Sequence, residues 1–167
     1  MSLASVRAFF AQHAPEIEIL ETDGSSATVT LAAEAFGVEP ARIAKTLSLR
    51  LGERVVLLVT RGDARLDNRK TKAAFGTKPR MLDLEEVAAI TGHPVGGVCP
   101  FGLASPLPVY CDVSLKAFDE VVPAAGSTQS AVRISPELMA ALTRAEWVDV
   151  CQEPLGQAAE NAAAQLA

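Results

Sequence analysis

Residues 91–103, in the sequence TGHPVGGVCPFGL, combine a histidine and a cysteine with residues that shape the backbone. They include four glycines, two prolines, one of the two histidines and one of the three cysteines. Glycine permits backbone angles and close approaches that a Cβ forbids, and proline fixes φ and removes a hydrogen-bond donor. We therefore predict a shaped loop, called here the glycine loop, whose backbone N–H groups face a ligand and hold the carbonyl of a substrate.

Cys99 in the glycine loop is a candidate nucleophile, because a thiolate attacks once a nearby base has lowered the pKa of the thiol. His93 is the candidate base. The alternative is that Cys99 is a small, semi-buried side chain that shapes the loop. The sequence contains no GxSxG elbow, no metal-ligand spacing and no GxxxxGK[ST] loop. We therefore expect no serine triad, no bound metal and no nucleotide cofactor.

Lys45 and Asp112 are charged residues at the ends of predicted elements. Lys45 follows a predicted helical turn, 41–44, and opens a predicted strand in an otherwise apolar stretch. A lysine at such a junction either extends its ammonium to solvent or points into a cleft. Asp112 ends another predicted strand, where it is either a turn cap or a carboxylate of the site.

The elements that position these residues follow from capping, periodicity and turn signals. Two strands, 46–51 and 54–60, flank the hairpin connection Gly52-Glu53. The predicted helices begin at Ser2 or Ser5 and end before Pro15, or span 31–36, 68–75, 84–91 and 136–143. Shorter strands are predicted at 17–20, 79–82, 107–112, 120–122, 131–134 and 147–150. This order predicts an α+β domain around one mixed sheet, over residues 1–151, followed by a loose tail, 152–167.

The composition fits one globular domain, with 49% apolar residues among 167. No apolar run is long enough to span a membrane, and the first residues have no apolar signal core. The three scattered cysteines form no CxxC pair. We therefore expect a cytoplasmic protein with no membrane partner.

The net charge of −5 hides a strong asymmetry. Residues 42–80 contain eleven basic and three acidic residues, a balance of +8, whereas the remainder contains four basic and seventeen acidic residues, a balance of −13. A polarised molecule can attract a polyanion to one face while it stays acidic overall. The alternative is a set of ordinary solvated strand and helix faces.

Several blocks, in one order over residues 1–150, resemble the YbaK/prolyl-tRNA-editing-domain family. The blocks are RIAKTL at 42–47, Asp67 with Arg69-Lys70, residues 91–102 of the glycine loop, PVYCD at 108–112 and AGS at 125–127. Members of this family are trans-acting aminoacyl-tRNA deacylases, and a related domain is inserted in some bacterial prolyl-tRNA synthetases. The resemblance implies a single α+β domain with a mixed, partly barrel-like β-sheet surrounded by helices.

The resemblance also implies roles for individual residues. Lys45 matches the essential lysine of the family, and Gly96 and Pro100 match its GxxxP pattern. Lys45, Gly96 and Gly97 are therefore the expected catalytic residues, and a thiol nucleophile is disfavoured because relatives carry Ser or Cys at the position of Cys99. The expected substrate-binding residues are Thr46, Val98, Cys99, Pro100, Phe101, Gly102, Asp112, Gly126 and Ser127. The expected tRNA-binding residues are Arg65, Arg69, Lys70 and Lys72.

The implied activity is hydrolysis of the ester of tRNA, expected to be tRNA(Pro), that carries the wrong small amino acid, of alanine, serine or cysteine size. The 2′-hydroxyl of the terminal adenosine assists, no cofactor is needed, and a prolyl-tRNA synthetase or a second copy of the chain is a further candidate partner. Residues 127–131, STQSA, lack the signatures of both the cysteinyl and the alanyl branches, so the amino acid stays open. The alternatives are a non-catalytic tRNA- or synthetase-binding module and a thiol-dependent hydrolase that uses Cys99.

Overall fold

The computed structural model describes residues 2–152, which form one mixed α+β domain. Its α-helices are α1 (Ser2–His13), α2 (Val29–Phe36), α3 (Asn68–Phe75), α4 (Leu84–Thr91) and α5 (Pro136–Thr143), and two short 3₁₀ helices span Pro40–Arg42 and Val113–Ala117. Its strands are β1 (Ile19–Glu21), β2 (Ile43–Leu51), β3 (Arg54–Arg61), β4 (Arg80–Met81), β5 (Val109–Asp112), β6 (Val122–Pro123), β7 (Ser130–Val132) and β8 (Glu146–Val148).

The main sheet has the order β4-β2-β3-β5-β8, and β6 also pairs with β2. The hairpin of β2 and β3 is antiparallel from Leu51 opposite Arg54 to Ala44 opposite Arg61, whereas β5 is parallel to β3 and β8 is parallel to β5. The strands β1 and β7 form a separate antiparallel pair. Over the described residues the main sheet stays open, with β4 and β8 at the ends of the path. The α+β prediction is confirmed, but its partly barrel-like component is not supported.

Side-chain alternation along β2 and β3 separates two apolar clusters. On one face Leu57 and Val59 pack with the buried Phe10 of α1 and with Phe101 of the glycine loop. On the other face the buried residues are Leu49, Leu51, Val56, Leu58, Ala64, Val150 and Cys151. A third cluster joins α2 to the start of β2 and to β6. The central hairpin is therefore covered on both faces, and its free edge is the part that remains accessible.

Capping and turn signals in the sequence predicted the bounds of most helices, whereas strand β2 begins earlier than predicted. Helices α3, α4 and α5 have the predicted bounds, whereas α2 begins at Val29 because Thr28, rather than Thr30, accepts a hydrogen bond from the backbone of Leu31. Strand β2 begins at Ile43, because Ile43 and Ala44 pair in parallel with β6. Lys45 therefore lies inside a strand rather than at its start. Residues 153–167 of the predicted tail lie outside the described part.

No helix in the described part of the chain has the length and apolar character needed to cross a membrane.

Candidate functional site

The edge of β2 that faces away from β3 is interrupted. Strand β6 pairs with Ile43 and Ala44, and β4 pairs with Leu49 and Arg50. Both strands lie on this edge, because β3 occupies the other edge from residue 44 to residue 51. Between them no described strand pairs with residues 45–48, and we call this interruption the β2 gap.

The backbone of Thr46 faces the β2 gap. The Ser48 carbonyl accepts a hydrogen bond of 3.1 Å from Leu82 N, so the backbone groups of Ser48 are directed to this edge. Alternate residues of an antiparallel strand direct their N–H and C=O groups to the same edge. The N–H and C=O of Thr46 therefore point into the gap, where a ligand that presents donors and acceptors could pair with them.

A cavity of about 250 Å³ fills the β2 gap. It is bounded by the segment before α2, by α2 itself, by β4 and α4, by the glycine loop and by the β6–β7 region. The lining is mostly apolar, with a few hydroxyls, and comprises Ser26, Ala27, Thr28, Val29, Ala32, Phe36, Ile43, Ala44, Lys45, Thr46, Ser48, Met81, Leu82, Leu84, Val87, Val95, Gly96, Val98, Val122, Ala124, Ser130 and Ala131. An apolar cleft with few, localised polar groups is the usual form of a small-ligand site.

Thr46 supplies the least satisfied polar atom of this lining. Its Oγ1 is buried and has no hydrogen-bond partner among residues 2–152. A buried hydroxyl without a partner costs about 1–3 kcal/mol, so native structures rarely keep one without a reason. A ligand in the cavity would provide the missing partner.

Lys45 reaches the cavity from the opposite face of β2, because neighbouring residues of a strand alternate in direction. Its Nζ donates a hydrogen bond of 2.6 Å to the carbonyl of Ala64, beyond the end of β3. Burial lowers the pKa of Lys45 below the usual value, and the nearby Arg65 guanidinium lowers it further, whereas Cys151 and Asp63 act in the opposite direction. An ammonium has three donors, so two remain for a substrate.

The loop that holds Lys45 is fastened by the last described residues. Gln152 N donates to the Arg65 carbonyl at 2.8 Å, and Asp67 N donates to the Val150 carbonyl at 2.8 Å. The Nζ of Lys70 donates to Asp149 Oδ1 and to the Cys151 carbonyl, both at 3.0 Å. The hydrogen bond with Asp149 raises the pKa of Lys70. Lys70, which we expected to bind tRNA, is thus engaged in joining α3 to the C-terminal segment.

The glycine loop brings Gly96 and Val98 to the cavity but not Gly97. Gly96 has φ of +88°, and a Cβ on it would lie 2.8 Å from the Cβ of Ala27. A Cβ on Gly97 would lie 2.7 Å from the backbone of Ser127. The N–H of Gly97 donates to the Pro94 carbonyl at 2.9 Å. That N–H is therefore occupied, and the expected donor role of Gly97 has no support in this geometry.

His93 and Cys99, both in the glycine loop, form a fully buried cluster. The Nε2 of His93 lies 2.7 Å from the Phe101 carbonyl, so Nε2 carries the proton, and Nδ1 accepts from the hydroxyl of Ser2. The Cys99 sulfur is 3.6 Å from Nε2. Burial lowers the pKa of His93 and raises that of Cys99 to about 12. Because Nε2 has no free lone pair and the thiol stays protonated, this pair does not form an activated nucleophile.

Four more residues expected to bind substrate pack elsewhere. The buried ring of Phe101 lies 4.7 Å, between centroids, from that of Phe10. A Cβ on Gly102 would meet the backbone of Ser5 at 2.7 Å. The Asp112 carboxylate accepts from Ser114 N at 2.9 Å and from Val150 N at 2.8 Å, which is the turn-cap alternative. Pro100 is buried as well.

The AGS block holds the glycine loop in place rather than lining the cavity. Gly126 N donates to the Gly97 carbonyl at 3.1 Å, and a Cβ on Gly126 would meet the carbonyl of Ser2 at 2.7 Å. The Ser127 hydroxyl bonds that of Ser130, which does line the cavity, at 2.7 Å. Of the residues that the resemblance assigned to catalysis or substrate binding, the cavity gathers Lys45, Thr46, Gly96 and Val98.

Of the four basic residues expected to bind tRNA, three are unpaired among the described residues and one is engaged in an ion pair. Arg65, Arg69 and Lys72 are exposed and form no ion pair with another residue of the described part. Lys70 is paired with Asp149.

The described residues also contain no cluster of three or more His, Cys, Asp or Glu side chains that could hold a metal.

The residues of the cavity that sequence reasoning missed are the apolar walls. Ala32 and Phe36 of α2 and Leu82 and Val87 around α4 line it. In the sequence these positions form ordinary apolar helix stripes, which indicate core packing. The absence of a strand partner beside β2, which opens the cavity, has no local sequence signal.

The family model described as "Aminoacyl-tRNA editing domain" matches residues 23–142. The uncharacterized protein YwhH of Bacillus subtilis (strain 168) is 50% identical over 155 residues, 92% of this chain and 99% of that protein. "Putative Cys-tRNA(Pro)/Cys-tRNA(Cys) deacylase EbsC" of Enterococcus faecalis is 31% identical over 121 residues, 71% of this chain and 73% of that one. A crystal structure described as a "putative trans-editing enzyme for prolyl tRNA synthetase" has a TM-score of 0.83 at 32% identity, covering 90% of this chain and 97% of that one.

Proposed function

This chain belongs to the aminoacyl-tRNA editing domain family, and on that premise we propose that it is a trans-editing aminoacyl-tRNA deacylase. It hydrolyses the ester that joins a wrongly attached small amino acid to the 3′ end of a tRNA. The observation that carries the proposal is the cavity in the β2 gap, which is lined by Lys45 and by Thr46, whose Oγ1 has no hydrogen-bond partner among the described residues.

The size and polarity of the cavity favour a small side chain. A volume of about 250 Å³ with mostly apolar walls suits the aminoacyl group of alanine, serine or cysteine and part of the ribose. The proposal of tRNA(Pro) as the carrier rests on the descriptions of the Enterococcus faecalis relative and of the crystal structure. A prolyl-tRNA synthetase is the corresponding proposed partner.

The chemistry needs positioning more than a side-chain nucleophile. An aminoacyl ester is already activated, so a bound water and donors for the developing oxyanion are enough for acceleration. In our proposal the backbone N–H of Thr46 and the Gly96 segment face the ester, and Thr46 Oγ1 bonds the aminoacyl group. The 2′-hydroxyl of the terminal adenosine orients the water.

Lys45 has the electrostatic role in this scheme. Its ammonium is fixed by the Ala64 carbonyl and directs its two remaining donors to the terminal phosphate or to the ester carbonyl. Partial burial strengthens such an interaction, because the local dielectric is lower than that of water. Arg65, Arg69 and Lys72 attract the phosphates of the acceptor stem, so binding should weaken as the salt concentration rises.

The test is hydrolysis of a panel of tRNAs charged with alanine, serine or cysteine. Wild type should deacylate at least one member, and Lys45→Ala should reduce kcat/KM by about 100-fold, since it removes a preorganised charge from the reacting group. Lys116→Ala is the matched control, because Lys116 lies over the Trp147 ring, away from the cavity lining. It should retain full activity.

Absence of hydrolysis of every charged tRNA by wild type would refute the deacylase proposal. If salt-dependent tRNA binding persisted in that case, the chain would be a non-catalytic tRNA-binding module. Equal loss of activity in Lys45→Ala and Lys116→Ala would refute the role proposed for Lys45 but not the deacylase activity.

A further inference from the structure

The mouth of the cavity is unusually apolar for a solvent-exposed surface. Among the described residues, five large hydrophobic side chains are exposed, and the three most exposed all line this one cavity. They are Leu84 at 70%, Met81 at 61% and Val95 at 48% exposure. The other two, Leu31 and Val113, do not line it.

The three side chains belong to three different elements that line the cavity. Met81 ends the edge strand β4, Leu84 is the first residue of α4, and Val95 belongs to the glycine loop. No single amphipathic pattern places them together, so their meeting is a property of the fold at the mouth. Exposed apolar side chains that gather beside a cleft mark a binding surface more often than scattered ones do. We call the three residues the apolar rim.

We propose that the apolar rim is a platform for the adenine base of the terminal nucleotide. This inference rests on the proposed function. When the ester lies beside Thr46 inside the gap, the ribose that carries the ester is at the mouth. Its base is attached to that same ribose and must lie against whatever surrounds the opening. The flat face of adenine buries apolar surface against Leu84 and Val95, and the polarisable thioether of Met81 suits a π face.

The extent of the rim favours one base over a protein partner. A stable protein–protein interface buries about 800 Å² on each side and uses some 20–30 residues. Three side chains around an opening fall far short of that requirement. They match the footprint of a single nucleobase, and they continue directly into the walls of the cavity.

The platform should act on affinity and should discriminate little between bases, because it contacts only the ring face. Aliphatic side chains stack on a base less strongly than the aromatic side chains of single-strand binding proteins do, so we expect about a tenfold effect on affinity.

The experiment compares two non-hydrolysable ligands by calorimetry. One is a 3′-alanylamido analogue of adenosine, and the other is the same alanylamido ribose with hydrogen in place of the base. Wild type should bind the adenosine analogue about tenfold more tightly. Leu84→Ser and Met81→Ser should each remove most of that preference by weakening only the adenosine analogue. Leu31→Ser and Val113→Ser, which change exposed apolar residues outside the cavity, should leave it intact.

Equal affinity of wild type for the two ligands would overturn the platform, as would failure to bind either. A rim variant that weakens both ligands equally would assign the rim to the cavity wall instead. If wild type prefers the adenosine analogue but hydrolyses no charged tRNA, the proposed deacylase activity fails while the base platform stands.

Discussion

Two groups of polar residues, His93 with Cys99 in the glycine loop and Thr46 with Lys45 on β2, differ in how fully their hydrogen bonds are satisfied. In the glycine loop, both ring nitrogens of His93 have partners, and the Cys99 thiol lies against the carbonyl of Phe101. On β2, Thr46 Oγ1 has no partner among the described residues. Lys45 has a single carbonyl as its hydrogen-bond partner in that part of the chain.

This difference separates residues whose types are typical of catalysis from residues that a ligand in the cavity can contact. Histidine and cysteine are the more typical catalytic residues. Here both are buried, and burial lowers the pKa of His93 and raises that of the Cys99 thiol. Threonine and lysine are less conspicuous in the sequence, but they line an open cavity. Substitutions in the first cluster should therefore change stability, and substitutions in the second should change activity.

Among the substitutions that test this difference, Gly96→Ala should cause the largest loss of activity. In Gly96→Ala the new Cβ would lie 2.8 Å from Ala27 Cβ, so the loop or the segment before α2 must move at the cavity wall. Displacements near 1 Å can cost about 100-fold in rate, and we expect a loss of about that size in kcat/KM for the charged tRNA panel.

Gly76→Ala is the matched control for Gly96→Ala. Gly76 also has a positive φ, +76°, but a Cβ there meets nothing within 4 Å. Gly76→Ala should lose about 1 kcal/mol of unfolding free energy through backbone strain, and Gly96→Ala should lose more, because its Cβ also meets Ala27; urea denaturation measures both. Only Gly96→Ala should lose activity, and an equal loss in both would show that strain, rather than the cavity wall, is responsible.

The second effect is a trade between activity and stability at Thr46. Thr46→Val keeps the shape of the side chain but removes the buried hydroxyl that lacks a partner. We expect stability to rise by about 1 kcal/mol, because an unsatisfied buried group is removed, and kcat/KM to fall about tenfold. Denaturation and deacylation assays on one preparation check both.

Thr143→Val is the control for Thr46→Val, because the hydroxyl of Thr143 donates to the Met139 carbonyl at 2.8 Å. It should lower stability slightly and leave activity unchanged. A fall in stability for Thr46→Val would show that its hydroxyl is satisfied in the free protein.

Local signals in the sequence predicted the helices because those signals act over a few residues. Asp83 caps α4 through its hydrogen bond to Glu86 N, and Gly92 ends the helix with a positive φ. The hairpin of β2 and β3 was likewise predicted from the turn at Gly52 and the apolar strands around it. Four residues of the site, Lys45, Thr46, Gly96 and Val98, came from the family resemblance.

The remainder depends on partners that are distant in the chain. Strand β2 starts early because β6, nearly eighty positions later, pairs with Ile43. The β2 gap exists because β4 and β6 fall on one edge without meeting. Gly102 serves close packing with Ser5 of α1, and Lys70 binds the C-terminal segment. None of these pairings leaves a periodic or capping signal in the local sequence.

The third substitution, Cys99→Ala, tests whether the buried pair of His93 and Cys99 contributes to stability rather than to activity. In Cys99→Ala, removal of a fully buried sulfur from the core should cost about 1–2 kcal/mol of unfolding free energy. The kcat/KM for charged tRNA should stay within about twofold, because the thiol does not line the cavity. Loss of activity without loss of stability would restore Cys99 as the nucleophile and reverse the comparison.

The smallest effect concerns the pH dependence of stability and belongs to His93. Burial lowers its pKa in the folded chain below 6.5, so below that pH the unfolded chain binds a proton that the folded chain does not. Stability must then fall as the pH falls, by at most about 1.4 kcal/mol per pH unit. The stability advantage of wild type over His93→Gln should therefore shrink as the pH falls from 6.5 to 5.5, by at most about 1 kcal/mol. A constant advantage over His93→Gln would mean that His93 titrates equally in the folded and unfolded chains.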